Sequence, residues 1–129
     1  MYAISEVAKL LGVSTHTLRY YEKEKIIIPD RNATGERLYT DAHLAWLRFA
    51  MKLKQTQMPL AQIREYAQLY SKGEYTTKAR LKLLEDHRKS IQNQIKNLVE
   101  TEKMLEDKIA AYKEFIRNLN PSSNDQMNG

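Results

Sequence analysis

Ser14-Thr15-His16-Thr17-Leu18-Arg19-Tyr20-Tyr21-Glu22 gathers short hydroxyls, an imidazole, a guanidinium and two phenols around a single aliphatic residue. These are groups that meet base edges and phosphate oxygens; none is arranged to make or break a bond. With Leu18 turned inward on a helix, Thr15, His16, Arg19 and either Tyr20 or Lys23 lie along the outer surface. Tyr20 and Tyr21 point about 100° apart on a helix, so they cannot both face one partner and one of them packs inside. The candidate nucleic-acid contacts on this stretch are Thr15, His16, Thr17, Arg19, Tyr20 and Tyr21, with His16 equally readable as plain surface. Elsewhere there is no nucleophile-base pair, no Gly-rich phosphate loop and no carboxylate cluster, so the chain does not read as an enzyme. His43 and His87 lie far apart without partnered ligand spacing, and no metal or other cofactor is expected.

Such a helix needs neighbours to hold it. Ser14 can accept from the first unpaired amides of the helix, and Gly12-Val13 ends the one before it. That first helix, Glu6 to Leu11 with Ser5 as its cap, puts Val7, Leu10 and Leu11 on a face that packs on Val13 and Leu18. The pair is a helix-turn-helix. After it, Ile26-Ile27-Ile28 is a β-branched run closed by Pro29, and Leu38-Tyr39 can pair with it across Asn32-Ala33-Thr34-Gly35. In a winged helix-turn-helix such a hairpin flanks the recognition helix, which places Arg31, Arg37 and the Tyr39 hydroxyl against a nucleic-acid backbone. Thr40-Asp41 opens a third helix rich in Leu44, Trp46, Leu47, Phe49, Met51 and Leu53, stopped by Gln57-Met58-Pro59. Pro59 can occupy the first position of a fourth helix, Leu60 to Tyr70, with Leu60, Ile63, Ala67 and Tyr70 on one side and Arg64 off that stripe. Trp46, Phe49, Tyr66, Tyr70 and Tyr75 read first as core and second as the lining of an effector pocket.

Ser71-Lys72-Gly73 is a hinge, with Gly73 the C-cap. From Thr77 to Leu119 runs a heptad pattern: Leu81, Leu84, Arg88, Ile91, Ile95, Leu98, Glu102, Leu105, Ile109, Tyr112, Ile116, Leu119. Steps of three and four alternate throughout, the mark of a coiled coil. A helix of about 65 Å cannot hide that seam on a small lobe, so it must dimerise. Arg88 and Glu102 report direction. In a parallel pair each faces its own copy, a costly like-charge contact; in an antiparallel pair crossing near Ile95 to Leu98 the opposite charges come within about a turn. The seam is therefore read as antiparallel, with Leu84, Arg88, Ile91, Ile95, Leu98, Glu102, Leu105, Ile109, Tyr112 and Ile116 as its dimerisation residues.

The run Ser14 to Glu22, followed by Pro29, Arg31, Gly35-Glu36-Arg37 and Tyr39, resembles the signature of the MerR family of bacterial transcription regulators, and the resemblance continues into the C-terminal helix. It is most similar to the short-tailed branch responsive to aldehydes and other electrophiles, from Trp46 and Phe49 through Leu69-Tyr70 to Ala79-Arg80. The resemblance implies that the third and fourth helices form a second wing, making Arg64, and less firmly Lys52 and Lys54, phosphate contacts. It also implies antiparallel homodimers that distort promoter DNA so that RNA polymerase can engage both promoter elements. The chain departs from the family in carrying Glu36 where an aromatic is usual, and Gln57 and Pro59 where Gly and Ser are common. Lys52 stands where that branch has its sensing cysteine; an ordinary exposed lysine is protonated and unreactive, so phosphate contact or solvation is its expected role.

Composition agrees with a mostly helical chain. Of 129 residues 42% are hydrophobic and 29% charged, with four Gly and three Pro. The formal charge of +5 suits an anionic partner but is spread evenly: residues 1–75 hold eleven basic and eight acidic side chains, residues 76–129 ten and eight. Local arrangement must therefore carry recognition. With no cysteine there is no disulfide, thiolate metal site or redox thiol. No apolar run approaches a membrane span, the start does not read as a signal peptide, and a cytoplasmic protein is expected. The expected organisation is a winged helix-turn-helix lobe over 1–73, with a wing hairpin at about 26–39 and second-wing helices at about 41–70, a dimerisation coiled coil over 76–119 and a flexible tail over 120–129. Two rivals remain: an architectural DNA-binding dimer without an effector, and a coiled-coil protein whose lobe binds another protein.

Overall fold

A computed structural model describes residues 1–119; the tail expected over 120–129 lies outside the described residues. The elements are β1 (Tyr2–Ala3), α1 (Ile4–Leu11), α2 (Thr15–Lys23), β2 (Asp30–Arg31), β3 (Arg37–Tyr39), α3 (Asp41–Gln55), α4 (Leu60–Lys72) and α5 (Thr77–Leu119), with a 3-10 turn at Glu74–Thr76 before α5. The chain divides into two compact units, Met1–His87 and Arg88 onward.

In the first unit three helix ends share one device. The amides of Gly12 and Val13 bond back to Lys9 and Ala8, those of Lys25 and Ile26 to Glu22 and Tyr21, and those of Gln57 and Met58 to Lys54 and Leu53. This is the Schellman arrangement, which needs a left-handed residue just past the helix. Gly12 takes φ 68° there without cost, whereas Lys25 at φ 62° and Gln57 at φ 73° adopt it with a Cβ in place. The Lys25 turn corrects the expected hairpin. It turns the chain so that Ile26 and Ile27 enter the core, so Ile26–Ile28 is not a strand, and pairing begins only after Pro29. In the three-stranded antiparallel sheet β1-β3-β2, Tyr2 pairs with Tyr39, Ala3 with Leu38, Asp30 with Leu38 and Arg31 with Arg37.

Strand β1 also corrects the start of the first helix. Ala3 is extended and paired, α1 begins at Ile4 rather than Glu6, and Ser5 lies inside it. The Glu6 carboxylate reaches back 3.1 Å to accept from the Ala3 amide in place of a Ser5 cap. Val7 and Ala8 are buried, but Leu10, expected to face inward, is half exposed. Helix α2 starts as expected, with Ser14 Oγ accepting from the Thr17 amide at 3.1 Å. Helix α3 has Thr40 as its cap: Thr40 Oγ1 accepts from the His43 amide, and the Thr40 amide donates to His43 Nδ1. Leu44, Leu47, Ala50 and Leu53, spaced by three, bury its inner stripe. Pro59 proves to be the N-cap of α4, one position before the expected first turn, and α4 runs on to Lys72 before Gly73 caps it. The core joins Val7, Leu18, Tyr39, Leu47 and Ile63, all essentially inaccessible. His87 is buried in this unit, its Nε2 2.7 Å from Thr56 Oγ1.

In the second unit α5 presents the heptad seam unburied by its own chain. Ile95, Leu98, Leu105, Ile109, Tyr112 and Ile116 are 52–69% exposed, Arg88 and Glu102 are exposed, and Ile91 is half-buried. Leu84, at the first-unit end of the pattern, is half-buried too. No helix among the described residues is long and apolar enough to cross a membrane.

Candidate nucleic-acid interface

Helix α2 fixes its orientation through two buried residues. Leu18 and Tyr21 face the core, leaving His16, Arg19 and Tyr20 exposed and Thr15 half-buried. Tyr21 is thereby removed from the exposed face of α2; of the two neighbouring tyrosines it is the one that packs, with burial raising its phenol above the ordinary value. Thr17 sits at the helix start with its hydroxyl 3.0 Å from Ser14 Oγ, so it serves the cap as much as the outer surface.

The hairpin is fastened to this helix by one carboxylate. Glu22 Oε2 accepts from Arg31 Nη2 at 2.9 Å and Glu22 Oε1 from Arg37 Nε at 2.6 Å. Arg31 Nη1 also donates to the Gly35 carbonyl at 2.9 Å, so the turn holds its own arginine. A guanidinium has five N–H donors in a fixed fork. The Nη groups of Arg37 therefore stay available beside α2, with no protein partner among the described residues. At the tip, Asn32 Oδ1 accepts from the Thr34 and Glu36 amides, and the Thr34 hydroxyl lies 2.8 Å from Asn32 Oδ1 and 3.0 Å from the Glu36 carboxylate, with one proton to share between them. The acid at the tip is thus part of the turn.

Two further expected contacts, besides Tyr21, face the protein instead. Tyr39 is fully buried with its hydroxyl unpartnered, so it cannot donate to a phosphate where it stands. Burial first, and the Glu22 carboxylate second, push its phenol above the ordinary value against the opposing pull of Arg37, Arg31 and Arg19. Arg64 is likewise engaged: its Nε donates to the Glu24 carbonyl at 2.7 Å and its Nη2 to Glu24 Oε2 at 2.5 Å. It ties α4 to the end of α2, because Glu24 carries both a carboxylate and an unspent helix-terminal carbonyl.

Lys54, only a lesser candidate from sequence, stands on α3 with its ammonium 6.0 Å from the Tyr20 ring centre and 5.6 Å from that of Tyr21. It adds a cation beside the exposed face of α2. Lys52 is occupied locally, 3.4 Å from Gln55 Oε1. Among the described residues no group of three His, Cys, Asp or Glu could hold a metal ion. The surface thus gathers Arg19, Arg31, Arg37 and Lys54 with the phenol of Tyr20 and the short polar side chains of α2, equipment for holding a polyanion and reading it by hydrogen bonds.

Comparison with known proteins locates this arrangement. The family described as MerR HTH family regulatory protein matches residues 2–69, and a second described as MerR, DNA binding matches residues 44–108. An uncharacterised HTH-type transcriptional regulator of Haemophilus influenzae is 36% identical over 113 residues, spanning 86% of this chain and 83% of the relative. The crystal structure of HiNmlR, a MerR family regulator lacking the sensor domain and bound to promoter DNA, matches with a TM-score of 0.81 at 35% identity, covering 88% of this chain and 90% of the other. A Listeria monocytogenes transcriptional regulator of the MerR family matches with a TM-score of 0.87 at 29% identity, covering 99% and 96%.

Proposed function

We propose, from the premise that this chain belongs to the MerR family of helix-turn-helix regulatory proteins and is a DNA-binding transcriptional regulator rather than an enzyme, that it acts as a homodimer on inverted-repeat promoter sites. The observation that carries the site assignment is the joint placement of α2 and the wing. Thr15, His16, Arg19 and Tyr20 line one exposed stretch, and Glu22 on the same helix holds Arg31 and Arg37. In this reading α2 lies in the major groove, Arg19 reads a base edge, and the free N–H groups of the wing arginines and Lys54 take phosphate oxygens. Arg64 supports α2 through Glu24, which leaves its Nη1 as the group free to reach DNA.

Dimerisation is proposed through α5, where an exposed apolar seam of this length is not stable alone in water. The opposite charges at 88 and 102 favour the antiparallel pairing, which sets two α2 helices on successive major grooves. The 35% identical relative on promoter DNA supports duplex DNA as the ligand. Distortion of the promoter, which uses the deformability of the site as well as its bases, and engagement of RNA polymerase follow from the family and are proposed here. A cytoplasmic location is proposed on the same basis.

The test is selection of bound duplexes from a random pool, followed by titration of the winner and of scrambled DNA at several salt concentrations. An inverted repeat bound at least about a thousandfold more tightly than scrambled DNA supports the regulator acting on a defined site. Binding that is weak, governed by salt and indifferent to sequence moves the architectural reading ahead.

A further inference from the structure

We propose that the cleft walled by Trp46 and Phe49 of α3 and Tyr66 and Tyr70 of α4 is a binding site for a planar aromatic anion of the size of a substituted benzoate or naphthoate. The cleft has a volume of about 790 Å³, within the range of about 300–1,000 Å³ typical of small-molecule sites. It lies within the first unit and takes no lining residue from α2.

The walls are built for a flat ring. Trp46 and Tyr66 stack with ring centres 5.4 Å apart and planes 10° from parallel, while Phe49 stands edge-on to Tyr66 at 6.2 Å. The Trp46 indole N–H donates to the Ile26 carbonyl at 2.7 Å, which locks the orientation of that wall. Phe49 and Tyr70 are nevertheless 41% and 67% exposed, so the stack ends in aromatic surface left open to solvent. Aromatic rings gain both burial and offset stacking when another ring covers such a surface.

The charge of the ligand follows from the rest of the lining. No Asp or Glu borders the cleft, whereas Lys25 and His43 do. His43 Nδ1 is already committed as acceptor to the Thr40 amide at 3.0 Å. In the neutral ring the proton must then sit on Nε2, which has no partner among the described residues and is left as a donor. Arg80, outside the lining itself, adds a second cation to that of Lys25, its guanidinium 5.1 Å from the centre of the Tyr70 ring. Donors and cations with no carboxylate select an anion and reject a cation of the same shape.

The only tryptophan of the chain is in the wall, so its fluorescence reports occupancy without a label. The full-length protein is titrated with 4-nitrobenzoate, with 4-nitrobenzylammonium as the cation of matched shape and cyclohexanecarboxylate as the anion without a ring, each followed by Trp46 quenching and by calorimetry. The expected result is saturable binding of one 4-nitrobenzoate per chain with Kd below about 1 mM, at least about tenfold weaker heat-detected binding of the other two. Ala45→Phe, which adds a ring on an exposed lining position, abolishes binding while leaving the melting temperature in place. Lys25→Gly, which keeps the left-handed turn, weakens it several-fold. Non-saturating quenching, equal binding of cation and anion, or binding unchanged by Ala45→Phe overturns the proposal. So does a cleft that acrylamide cannot reach in the dimer but reaches on dilution, since a second copy is then the occupant.

Discussion

Tyr39 carries a hydroxyl into the core and gives it nothing to bond. An unsatisfied buried hydroxyl costs about 1–3 kcal/mol, so removing it should help. Tyr39→Phe is expected to raise stability by about 1 kcal/mol in urea unfolding and to leave DNA affinity unchanged. If Tyr39 were a phosphate donor the same substitution would weaken DNA binding and leave stability as it was. The three tyrosines with raised phenols are expected to tie stability to alkaline pH. Tyr2 is raised by its hydrogen bond to Asp41, at 2.8 Å, and then by that carboxylate's charge; Tyr21 and Tyr39 are raised mainly by burial. A raised phenol holds its proton longer folded than unfolded. The stability it contributes is complete below the ordinary value of about 10 and is lost as pH rises through the higher folded value. Thermal midpoints should therefore be flat up to about pH 9 and fall above about pH 10, with a shallower fall in Tyr21→Phe and Tyr39→Phe. A midpoint that holds to pH 11 would contradict this.

At the scale of elements, the wing and the recognition helix are one body because Glu22 binds both wing arginines. Simple electrostatics and positioning here predict opposite signs. Glu22→Gln removes a negative charge beside the proposed DNA surface, which by charge alone tightens binding and steepens its salt dependence. If Glu22 orients the two guanidinium forks, the same change weakens binding, by about tenfold, because two flexible side chains must be ordered on contact. We expect the weakening, and expect it to vanish in an Arg31→Ala/Arg37→Ala background, where there is nothing left to orient. Tighter binding by the Gln variant would show that Glu22 is only a charge. The Arg64–Glu24 pair does for α4 what Glu22 does for the wing, and both partners are about two-thirds buried, which makes it a strut more than a ligand.

At the scale of the whole molecule, the proposed function needs two copies, and the seam of α5 makes their direction testable. Arg88→Glu and Glu102→Arg, each alone, put like charges against one another in an antiparallel pair and are expected to raise the dimer dissociation constant about tenfold. The double variant restores opposite charges and should dimerise within about threefold of the wild type by sedimentation. In a parallel pair every one of these chains has like charges facing, and the double variant rescues nothing.

The sequence by itself determined the elements whose signal is local or periodic. Ser14 as cap, Gly12 and Gly73 as stops, the inward Leu18 and the helix from Thr77 to Leu119 all follow from neighbours or from a repeat, and the structure places them where their chemistry requires. The MerR resemblance was legible for the same reason: its signature residues are clustered between Ser14 and Tyr39, and the likeness runs on into the C-terminal helix. What only the tertiary structure decided are the pairings across elements. A two-residue strand such as β1 has no periodicity, and Lys25 and Gln57 carry no mark of a left-handed turn, which packing imposes on them. Whether Arg31, Arg37 and Arg64 meet solvent or a carboxylate depends on Glu22 and Glu24 arriving beside them, at sequence separations of 9, 15 and 40. A charge in a sequence names what a side chain can bind; its partner is set by how the chain closes around a core, where burial outweighs any local preference.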